Sequence, residues 1–341
     1  MKVNSRMRPA RVTMLLALAA TLAMLLGMIG PPGAGAQGKG KAAPDKPEQA
    51  NCATGRTVPV NKISIQLWTF SRYITSGELL AGAPADAPGA TATRAERVEY
   101  LLKYLSELGF RNVEPYGIFN TSFTIEQFAA LVEEYDLKVP SRHMSTSVAN
   151  WEANLADASM LGQRYTGSGG FAAPGITSYE NVLATAATLN ELGRASVQNG
   201  TGKIFGHNHR LEFTTKYVDP ETGELKSAWQ LLVENTDPRW VTFQLDVGWA
   251  TVAGEDPVAL VEEFGDRIEL LHVKDAIVTV PGGGNEAVFQ QTTIGQGDVD
   301  WASLFDAAQG KVKLYVLEQD PPVEPFSWAA QSFEYVDCLV F

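Results

Sequence analysis

Residues 241–275 read VTFQLDVGWATVAGEDPVALVEEFGDRIELLHVKD and contain one complete unit of the fold. The apolar run Val241–Asp246 predicts a strand, and the run Glu269–Lys274 predicts a second one. Between them, Pro257–Phe264 has the composition of a helix, and Asp256 directly before the proline is a typical helix start. The stretch therefore predicts strand, helix and strand, the unit from which parallel sheets are built.

The same alternation continues in both directions along the chain. We predict further strands at Ile63–Trp68, Asn112–Glu114, Val139–His143, Arg164–Gly167, Lys203–His209 and Lys313–Glu318. We predict further helices at Arg94–Leu108, Ile125–Tyr135, Trp151–Leu161, Ser178–Asn199, Ser227–Glu234, Trp301–Ala308 and from Phe326 to Val336. Eight strands that alternate with helices predict a single α/β domain, a (β/α)8 TIM barrel over residues 61–341. The alternative is a doubly wound open sheet, which would need a glycine-rich turn where this chain has WTFSR at 68–72.

The first 36 residues have the layout of a secretory signal peptide. Four basic residues precede the apolar run Val12–Ile29, and Ala34 and Ala36 form a small-residue cleavage site before Gln37. This layout predicts export to the periplasm or the extracellular space, with no stable membrane insertion after cleavage. An uncleaved membrane anchor is the alternative, because the run is long for a signal peptide.

The next segment, residues 37–60, is rich in Gly, Ala, Pro and Lys, which predicts a flexible linker. The chain has two cysteines, Cys52 and Cys338, too few for a disulfide scaffold or a zinc finger. In an oxidising compartment they could form a disulfide that joins the ends of the domain. Two unpaired thiols are the alternative.

Composition excludes several classes of protein. The chain has 341 residues, of which 45% are hydrophobic, enough to bury a large core, so most of it is not disordered. Its net charge is −12, with 27 Lys and Arg against 39 Asp and Glu. This balance disfavours a nucleic-acid partner, whose phosphates require a positive surface.

The rare residues of the chain fall at equivalent places. Its four histidines all end predicted strands: His143, His207, His209 and His272. Carboxylates end other strands at the same level: Glu114, Asp246 and Glu318. In a TIM barrel this rim carries the active site, and imidazole and carboxylate groups together are ligands of divalent metals. A single histidine there could be a core residue with satisfied hydrogen bonds, but four at one rim favour a site.

The two-residue period of a strand refines this interpretation. His207 and His209 are two residues apart and should face the same side, and so should His272 and Lys274. Asp275 should then turn away from the barrel mouth, as a cap or as a partner of groups behind the site.

Seven short motifs carry a resemblance to a known family: IQLW at 65–68, LGFRNVE at 108–114, GHNHRLEF at 206–213, LDVG at 245–248, LHVKD at 271–275, GQGDVDW at 295–301 and VLEQD at 316–320. In this order and spacing, residues 61–337 resemble the sugar phosphate isomerase/epimerase group of xylose isomerase-like TIM barrels. That superfamily also includes inosose dehydratases and endonuclease IV.

The resemblance implies one divalent metal ion (Mn, Mg, Co, Zn or Fe) at the barrel mouth. By position its ligands would be His207, Asp246, His272 and Glu318. The epimerases have Glu where His207 stands, and they use it with the last-strand Glu as two bases on opposite sides of the substrate. The departure puts two-base epimerisation in doubt, and it leaves open whether His207 or His209 binds the metal.

The implied activity is that of a metal-dependent isomerase or epimerase, which removes a proton next to the carbonyl of a sugar or keto-sugar to form an enediolate. Glu318 is the first candidate base and Glu212 the second, and Lys274 would neutralise the developing oxyanion. His143 and His209 would orient hydroxyls or act as the general acid. The alternatives are an exported lyase or dehydratase that acts on a keto-glycoside or cyclitol, and a non-catalytic sugar-binding barrel.

Three further residues are candidates for substrate binding. Trp68 and Tyr116 could stack on a sugar ring or belong to the core, and Glu114 could bind substrate or instead pair with Arg142 or Arg72. No cluster of Arg or Lys is evident at the rim to hold a phosphate, so a neutral sugar fits better than a sugar phosphate. The expected partner is a small-molecule sugar, with no nucleic acid, and a homo-oligomer is left open.

Overall fold

The computed structural model describes residues 52, 54–79, 81–118, 124–284 and 286–341. The predicted signal peptide and most of the predicted linker lie outside these residues. Within the described part of the chain, no helix combines the length and the apolar character needed to cross a bilayer.

Strands and helices alternate along the described chain. The strands are β1 Ile63–Gln66, β2 Asn112–Glu114, β3 Tyr165–Gly167, β4 Lys203–His207, β5 Lys216–Val218, β6 Leu225–Ser227, β7 Val241–Asp246, β8 Ile268–Val273, β9 Asp275–Val280, β10 Val288–Thr292 and β11 Leu314–Leu317. The helices are α1 Ser71–Ser76, α2 Arg94–Leu108, α3 Ile125–Glu134, α4 Trp151–Met160, α5 Tyr179–Asn199, α6 Leu211–Thr214, α7 Ala228–Glu234, α8 Val247–Ala253, α9 Pro257–Phe264, α10 Trp301–Ala307 and α11 Pro325–Cys338.

Local sequence explains where several helices begin. Thr124 and Gln127 form a reciprocal capping box at the start of α3. Asp256 accepts hydrogen bonds from the first turn of α9, which has Pro257 at its first position. The capping side chains thus satisfy backbone N–H groups that have no partner inside the helix.

Seven strands form one parallel sheet in the order β2-β1-β11-β8-β7-β4-β3. The register places Gln66 opposite Glu114 and Asp246 opposite His272, so that the carboxyl ends of these strands lie at one level. The fold is therefore TIM-barrel-like, and the predicted histidines and carboxylates gather at one rim.

The eighth position, between β2 and β3, is taken by an irregular segment rather than by the predicted strand Val139–His143. Val113 N donates to Lys138 O at 2.9 Å on one side, and Met144 N donates to Gly167 O at 2.8 Å on the other. Pro140 lies in the middle and has no N–H to donate, so the ladder is reduced to isolated bridges. The prediction of a regular strand was wrong, although the segment contacts both neighbouring strands.

Two antiparallel hairpins, β5–β6 and β9–β10, and three short helices, α1, α6 and α8, are additions to the predicted elements. The hairpin β9–β10 begins at Asp275, directly after β8, and its turn contains the glycine-rich run 282–284. It therefore rises from the end of the barrel at which the site lies.

An apolar layer lies inside the barrel below that end. Phe205, Leu270, Leu314 and Val316 form a buried cluster separate from the main core. Three site residues follow members of this cluster at a spacing of two: His207, His272 and Glu318. Since residues two apart in a strand face the same side, the apolar layer closes the interior and the polar side chains stand above it.

The two ends of the domain are held together. Cys52 and Cys338 form a disulfide, as one of the two sequence interpretations proposed. Arg56 pairs with Asp306, and Val58 is buried in the core. Residues 54–60 therefore belong to the domain, which begins before the predicted end of the linker.

Candidate functional site

Glu114, at the end of β2, is the buried anion at the centre of the site. Its Oε1 accepts a hydrogen bond from Gln66 Nε2 at 2.8 Å. Its Oε2 accepts one from Gln244 Nε2 at 2.9 Å and another from the Ser141 hydroxyl. His143 Nε2 lies 3.1 Å from Oε1. Side chains of β1, of β7 and of the irregular segment thus fix this carboxylate in place.

His272, on β8, lies between two carboxylates. Its Nε2 donates to Glu114 Oε1 at 2.8 Å, and its Nδ1 donates to Glu318 Oε2 at 3.0 Å. Burial alone would lower the pKa of His272, but the charge of Glu318, the nearby Asp246 carboxylate at 3.8 Å and the hydrogen bonds to Glu114 and Glu318 hold it well above its usual value. The ring is therefore an imidazolium in this arrangement, and it would have to release the proton of one ring nitrogen to bind a metal ion.

Lys274 supplies a second buried cation. Its Nζ lies 2.8 Å from Glu318 Oε2, 3.1 Å from Asp246 Oδ2 and 3.4 Å from Asp320 Oδ2. Burial opposes the charge, but the three carboxylates raise the pKa of Lys274. Conversely, although burial favours the neutral acid, Lys274 and His272 hold the pKa of Glu318 well below its usual value. Glu318 is therefore ionised at neutral pH.

His207, at the end of β4, is buried and neutral. Its Nδ1 lies 3.1 Å from Gln244 Oε1, which has no proton, so Nδ1 donates and Nε2 keeps its lone pair. Burial, with the neighbouring His272 and His143, lowers the pKa of His207 well below its usual value. The free Nε2 lies 3.9 Å from Asp246 Oδ2.

Asp246 is held through its backbone. Asn208 accepts from Asp246 N at 3.0 Å and donates to Asp246 O at 3.2 Å. The carboxylate Oδ1 caps α8 by accepting from Trp249 N at 2.9 Å. The other oxygen, Oδ2, is buried and accepts no hydrogen bond within the described residues, although Lys274 is near it.

Two overlapping sets of side chains could hold a metal ion. Asp246, His272 and Glu318 place one ligand atom each within 4.8 Å of one another, and so do His143, His207 and His272. The buried Asp246 Oδ2 without a hydrogen bond, a second carboxylate and a neutral imidazole match the ligands that divalent metals prefer. The residues present therefore fit one divalent cation.

Other predicted site residues lie outside this cluster. His209 follows the end of β4 and is exposed, with its ring centroid 5.0 Å from that of His207. Glu212, predicted as a second base, has its Oε2 bonded to His209 N at 2.8 Å. Its carboxylate thus stabilises the turn before α6 and, within the described chain, has no recorded contact with the cluster.

The aromatic candidates stand together at the first two strand ends. Trp68 and Tyr116 contact each other edge to face at 5.2 Å, and 41% of Trp68 is exposed. Of the two arginines considered as partners of Glu114, Arg142 lies 3.5 Å from Asp157, and Arg72 pairs with Glu78.

Asp275 turns away from the mouth, as predicted. Its Oδ2 accepts hydrogen bonds from Gly295 N at 2.8 Å, Gly297 N at 3.1 Å and Trp301 Nε1 at 2.9 Å. The carboxylate therefore anchors the GQGDVDW motif behind the strand that carries His272 and Lys274.

Sequence reasoning missed four buried polar groups of the site, Gln66, Ser141, Asn208 and Gln244, and the partly exposed Asp320. A signal for one of them was present, because Gln244 is a polar residue in an apolar strand, two positions before Asp246 and so on the same face. The role of Asn208 depends on the backbone of a neighbouring strand, which sequence spacing does not show.

Comparisons with known proteins agree with the fold. A family model described as xylose isomerase-like TIM barrel matches residues 102–334, more than half of the chain. An inosose dehydratase of Geobacillus thermodenitrificans is 28% identical over 165 residues, which cover 43% of this chain and 51% of that protein. An inosose dehydratase of Geobacillus kaustophilus is 33% identical over 123 residues, which cover 32% of this chain and 40% of that protein. The chain thus spans about half the length of the curated relatives it matches.

Solved structures show the same architecture at low identity. A sugar phosphate isomerase/epimerase from Parabacteroides distasonis superimposes with a TM-score of 0.62 and 18% identity, covering 85% of this chain and 98% of that one. A xylose isomerase-like TIM barrel protein from Mycobacterium smegmatis, in complex with magnesium, superimposes with a TM-score of 0.57 and 16% identity. The match covers 81% of this chain and 95% of that one. At these identities the likeness concerns the fold alone.

Proposed function

The chain belongs to the xylose isomerase-like TIM barrel family, and from this premise we propose that it is a divalent-metal-dependent enzyme that acts on a sugar or keto-sugar. The reaction would remove a proton from the carbon next to a carbonyl, with isomerisation or epimerisation as the outcome. The observation that carries the proposal is the buried group of Asp246, His272 and Glu318, with the Lys274 ammonium beside it, at the active end of the barrel.

One metal ion, when bound, would supply Lewis-acid polarisation of the substrate carbonyl. Asp246, His272 and Glu318 would hold it, with His207 as the fourth ligand in preference to His209. The buried position of His207 and its free Nε2 support this choice, since His209 is exposed. The metal is one of Mn, Mg, Co, Zn or Fe.

Glu318 is the proposed base. Its Oε2 accepts from both Lys274 and His272, whereas Oε1 has no hydrogen bond or ion pair within the described chain, so Oε1 is available to take a proton. The low pKa of Glu318 keeps it ionised, which is the form a base needs. Glu212 is the weaker candidate, because its carboxylate is bonded to a backbone N–H.

Lys274 is placed to stabilise the negative charge that develops on oxygen as the proton leaves. Its ammonium is fixed by three carboxylates, so little reorganisation would be required during the reaction. His143 lies parallel to His272, with ring centroids 5.2 Å apart, and contacts Glu114 and Gln244. It could orient a substrate hydroxyl from that side of the site, whereas Trp68 and Tyr116 would offer a stacking surface for the ring.

A dehydratase is the second candidate function. From the same proton abstraction, loss of a leaving group on the adjacent carbon would complete an elimination. The neutral His207 favours this outcome, because it stands where a two-base epimerase would need a second carboxylate. Relatives named inosose dehydratase, which this chain matches over part of their length, also support a dehydratase.

We further propose that residues 1–36 direct export and are removed, and that residues 37–51 link the leader to the domain. The substrate would then be met outside the cytoplasm, as a small-molecule sugar, keto-glycoside or cyclitol. The net charge of −12 continues to disfavour a nucleic-acid substrate.

The test is solvent proton exchange with a panel of keto-sugars and inososes in heavy water, followed by NMR. Wild-type protein with added metal should incorporate deuterium next to the carbonyl, and Glu318→Gln should reduce the rate at least about 100-fold. Glu262→Gln, on the exposed face of α9, is the control that should leave the rate unchanged. Glu212→Gln measures the contribution of the second candidate base.

The reaction products distinguish the alternative functions. An unchanged carbon skeleton with exchanged hydrogen supports isomerisation or epimerisation, and loss of water supports the dehydratase. Exchange at the wild-type rate in Glu318→Gln would remove Glu318 as the base. Sugar binding without exchange, at saturating metal, would favour the non-catalytic binding barrel.

A further inference from the structure

Beside the metal-ligand cluster, one arginine contacts two aromatic rings. Arg210, which precedes α6, has its Cζ 5.8 Å from the ring centroid of Trp249 and 5.7 Å from that of Phe289. Trp249 is on α8, and Phe289 is on the hairpin strand β10. Their rings contact each other edge to face at 5.4 Å. We call these three residues the aromatic wall.

The guanidinium of Arg210 has no partner that would neutralise it. Within the described chain, it forms no ion pair within 4.0 Å and donates no hydrogen bond. Cation–π contacts hold the group in place without using its N–H donors. The charge of Arg210 helps to lower the pKa of Glu286, but that carboxylate is exposed and accepts hydrogen bonds from its own turn, including Gly284 N at 2.8 Å. The planar array of donors is thus available to a ligand.

The wall adjoins the proposed reaction site. The Nζ of Lys274 lies 5.2 Å from the Trp249 ring centroid. Together with the 5.8 Å from Arg210 to the same centroid, this places Arg210 Cζ and Lys274 Nζ at most 11.0 Å apart. A substrate of one or two sugar rings could reach both groups.

A second observation indicates a ligand at this wall. Trp249 Nε1 is a buried donor without a hydrogen-bond partner in the described chain. A buried N–H left unpaired costs free energy, and an acceptor on a bound molecule would remove that cost. Two donor groups of the aromatic wall, a guanidinium and an indole N–H, therefore lack acceptors within the described chain.

We propose that the aromatic wall binds a carboxylate carried by the sugar substrate, so that the enzyme acts on a sugar acid rather than on a neutral sugar. This inference rests on the proposed function and names its substrate class. Arg210 would receive the two carboxylate oxygens side by side, and Trp249 Nε1 would donate to an oxygen of the same ligand. The expectation of a neutral sugar arose because a single arginine, positioned by two aromatic rings, is not a cluster in the sequence.

The chemistry favours a carboxylate over a phosphate. The fork of one guanidinium matches the two oxygens of a planar carboxylate with its single charge. A phosphate dianion would need a further cation, and the nearest one established here, Lys274, is already surrounded by Asp246, Glu318 and Asp320.

The test compares the binding of D-glucuronate, D-glucose and D-glucose 6-phosphate to the full protein with added Mg²⁺, by ligand-observed NMR. We expect glucuronate to bind at least about tenfold more tightly than glucose, as charge-assisted hydrogen bonds allow. Arg210→Gln should abolish this difference and leave the affinity for glucose within about twofold. The matched control is Arg239→Gln, which removes an arginine lying 5.2 Å from the Trp240 ring at the amino end of β7. It should bind all three sugars as the wild type does.

Each of the remaining outcomes would contradict a specific statement. Equal affinities for glucuronate and glucose, or a preference that survives in Arg210→Gln, would overturn the carboxylate site and leave the proposed function intact. Tighter binding of glucose 6-phosphate than of glucuronate would identify phosphate as the anion and contradict the inference. If none of the three sugars binds while the folded protein retains metal, the carboxylate site is overturned, and the proton-exchange experiment with keto-sugars and inososes decides the proposed function separately.

Discussion

Replacing Lys274 by methionine should reveal how strongly the site depends on a cation. Lys274 is 2% exposed, and its ammonium lies 2.8 Å from Glu318, 3.1 Å from Asp246 and 3.4 Å from Asp320. Methionine keeps a similar apolar stem and removes only the charge. Loss of one partner from a buried ionic cluster costs about 3–5 kcal/mol. Because the His272 imidazolium remains 3.0 Å from Glu318, we expect the lower end, a loss of about 3 kcal/mol in the free energy of unfolding.

The assay is urea unfolding of Lys274→Met and wild type, first with EDTA and then with Mn²⁺ or Mg²⁺. A divalent ion bound between the same carboxylates would replace the missing positive charge. At 100 times its dissociation constant, a metal that binds only the native state adds about 2.7 kcal/mol. The variant should therefore recover most of its loss, and it should gain at least as much from metal as the wild type does.

Lys203→Met is the matched control, because Lys203 pairs with Glu269 at the amino ends of the strands, where both side chains are partly exposed. The free energy of unfolding of Lys203→Met should fall by less than about 1 kcal/mol, and added metal should not change this difference from the wild type. The reasoning is refuted if Lys274→Met is as stable as the wild type in EDTA. It is also refuted if the variant loses stability and saturating metal restores none of it, since the carboxylates would then not form a cation site.

Two further predictions concern other buried groups. Asn208→Ala would leave the buried N–H and C=O at the end of β7 without partners, so unfolding experiments should show a loss of about 1–3 kcal/mol and metal titrations a weakening of about tenfold or more. Burial raises the pKa of four phenols to about 12: Tyr73, Tyr104, Tyr116 and Tyr315. Because these folded-state pKa values lie above the unfolded value of about 10, their contribution to stability is complete below about pH 10 and is lost as the pH rises through 12. Titration at 295 nm should show them ionising only near pH 12 or with unfolding, and a single step for all ten tyrosines near pH 10 would contradict this.

Much of the fold follows from local patterns. The predicted bounds of Val241–Asp246, Arg94–Leu108 and Pro257–Phe264 are the observed ones, because buried parallel strands are short apolar runs and these helices have clear ends. The location of the site follows from the same reasoning. Once the strands are parallel, residues that end them must meet at one rim, as His272 and Glu318 do.

The missed features depend on contacts between distant residues or on misread loops. The segment 139–143 has the composition of a strand, but Pro140 removes a donor that the ladder needs. The hairpin β9–β10 was not predicted, because it interrupts the alternation of strands and helices on which the prediction was based. Sequence spacing places His272 at the rim, but it does not show that the ring lies between Glu114 and Glu318. Nor does it show that Arg210 contacts Phe289, which lies on a hairpin that was not predicted.

The disulfide between Cys52 and Cys338 has a mechanical consequence. It joins positions 286 residues apart, so the chain between them is a covalently closed loop. A pulling force applied before Cys52 and after Cys338 passes through the two sulfur atoms and bypasses the barrel strands. In the oxidised state, the barrel should therefore not extend under such a load, and a reductant should expose the whole domain to the force.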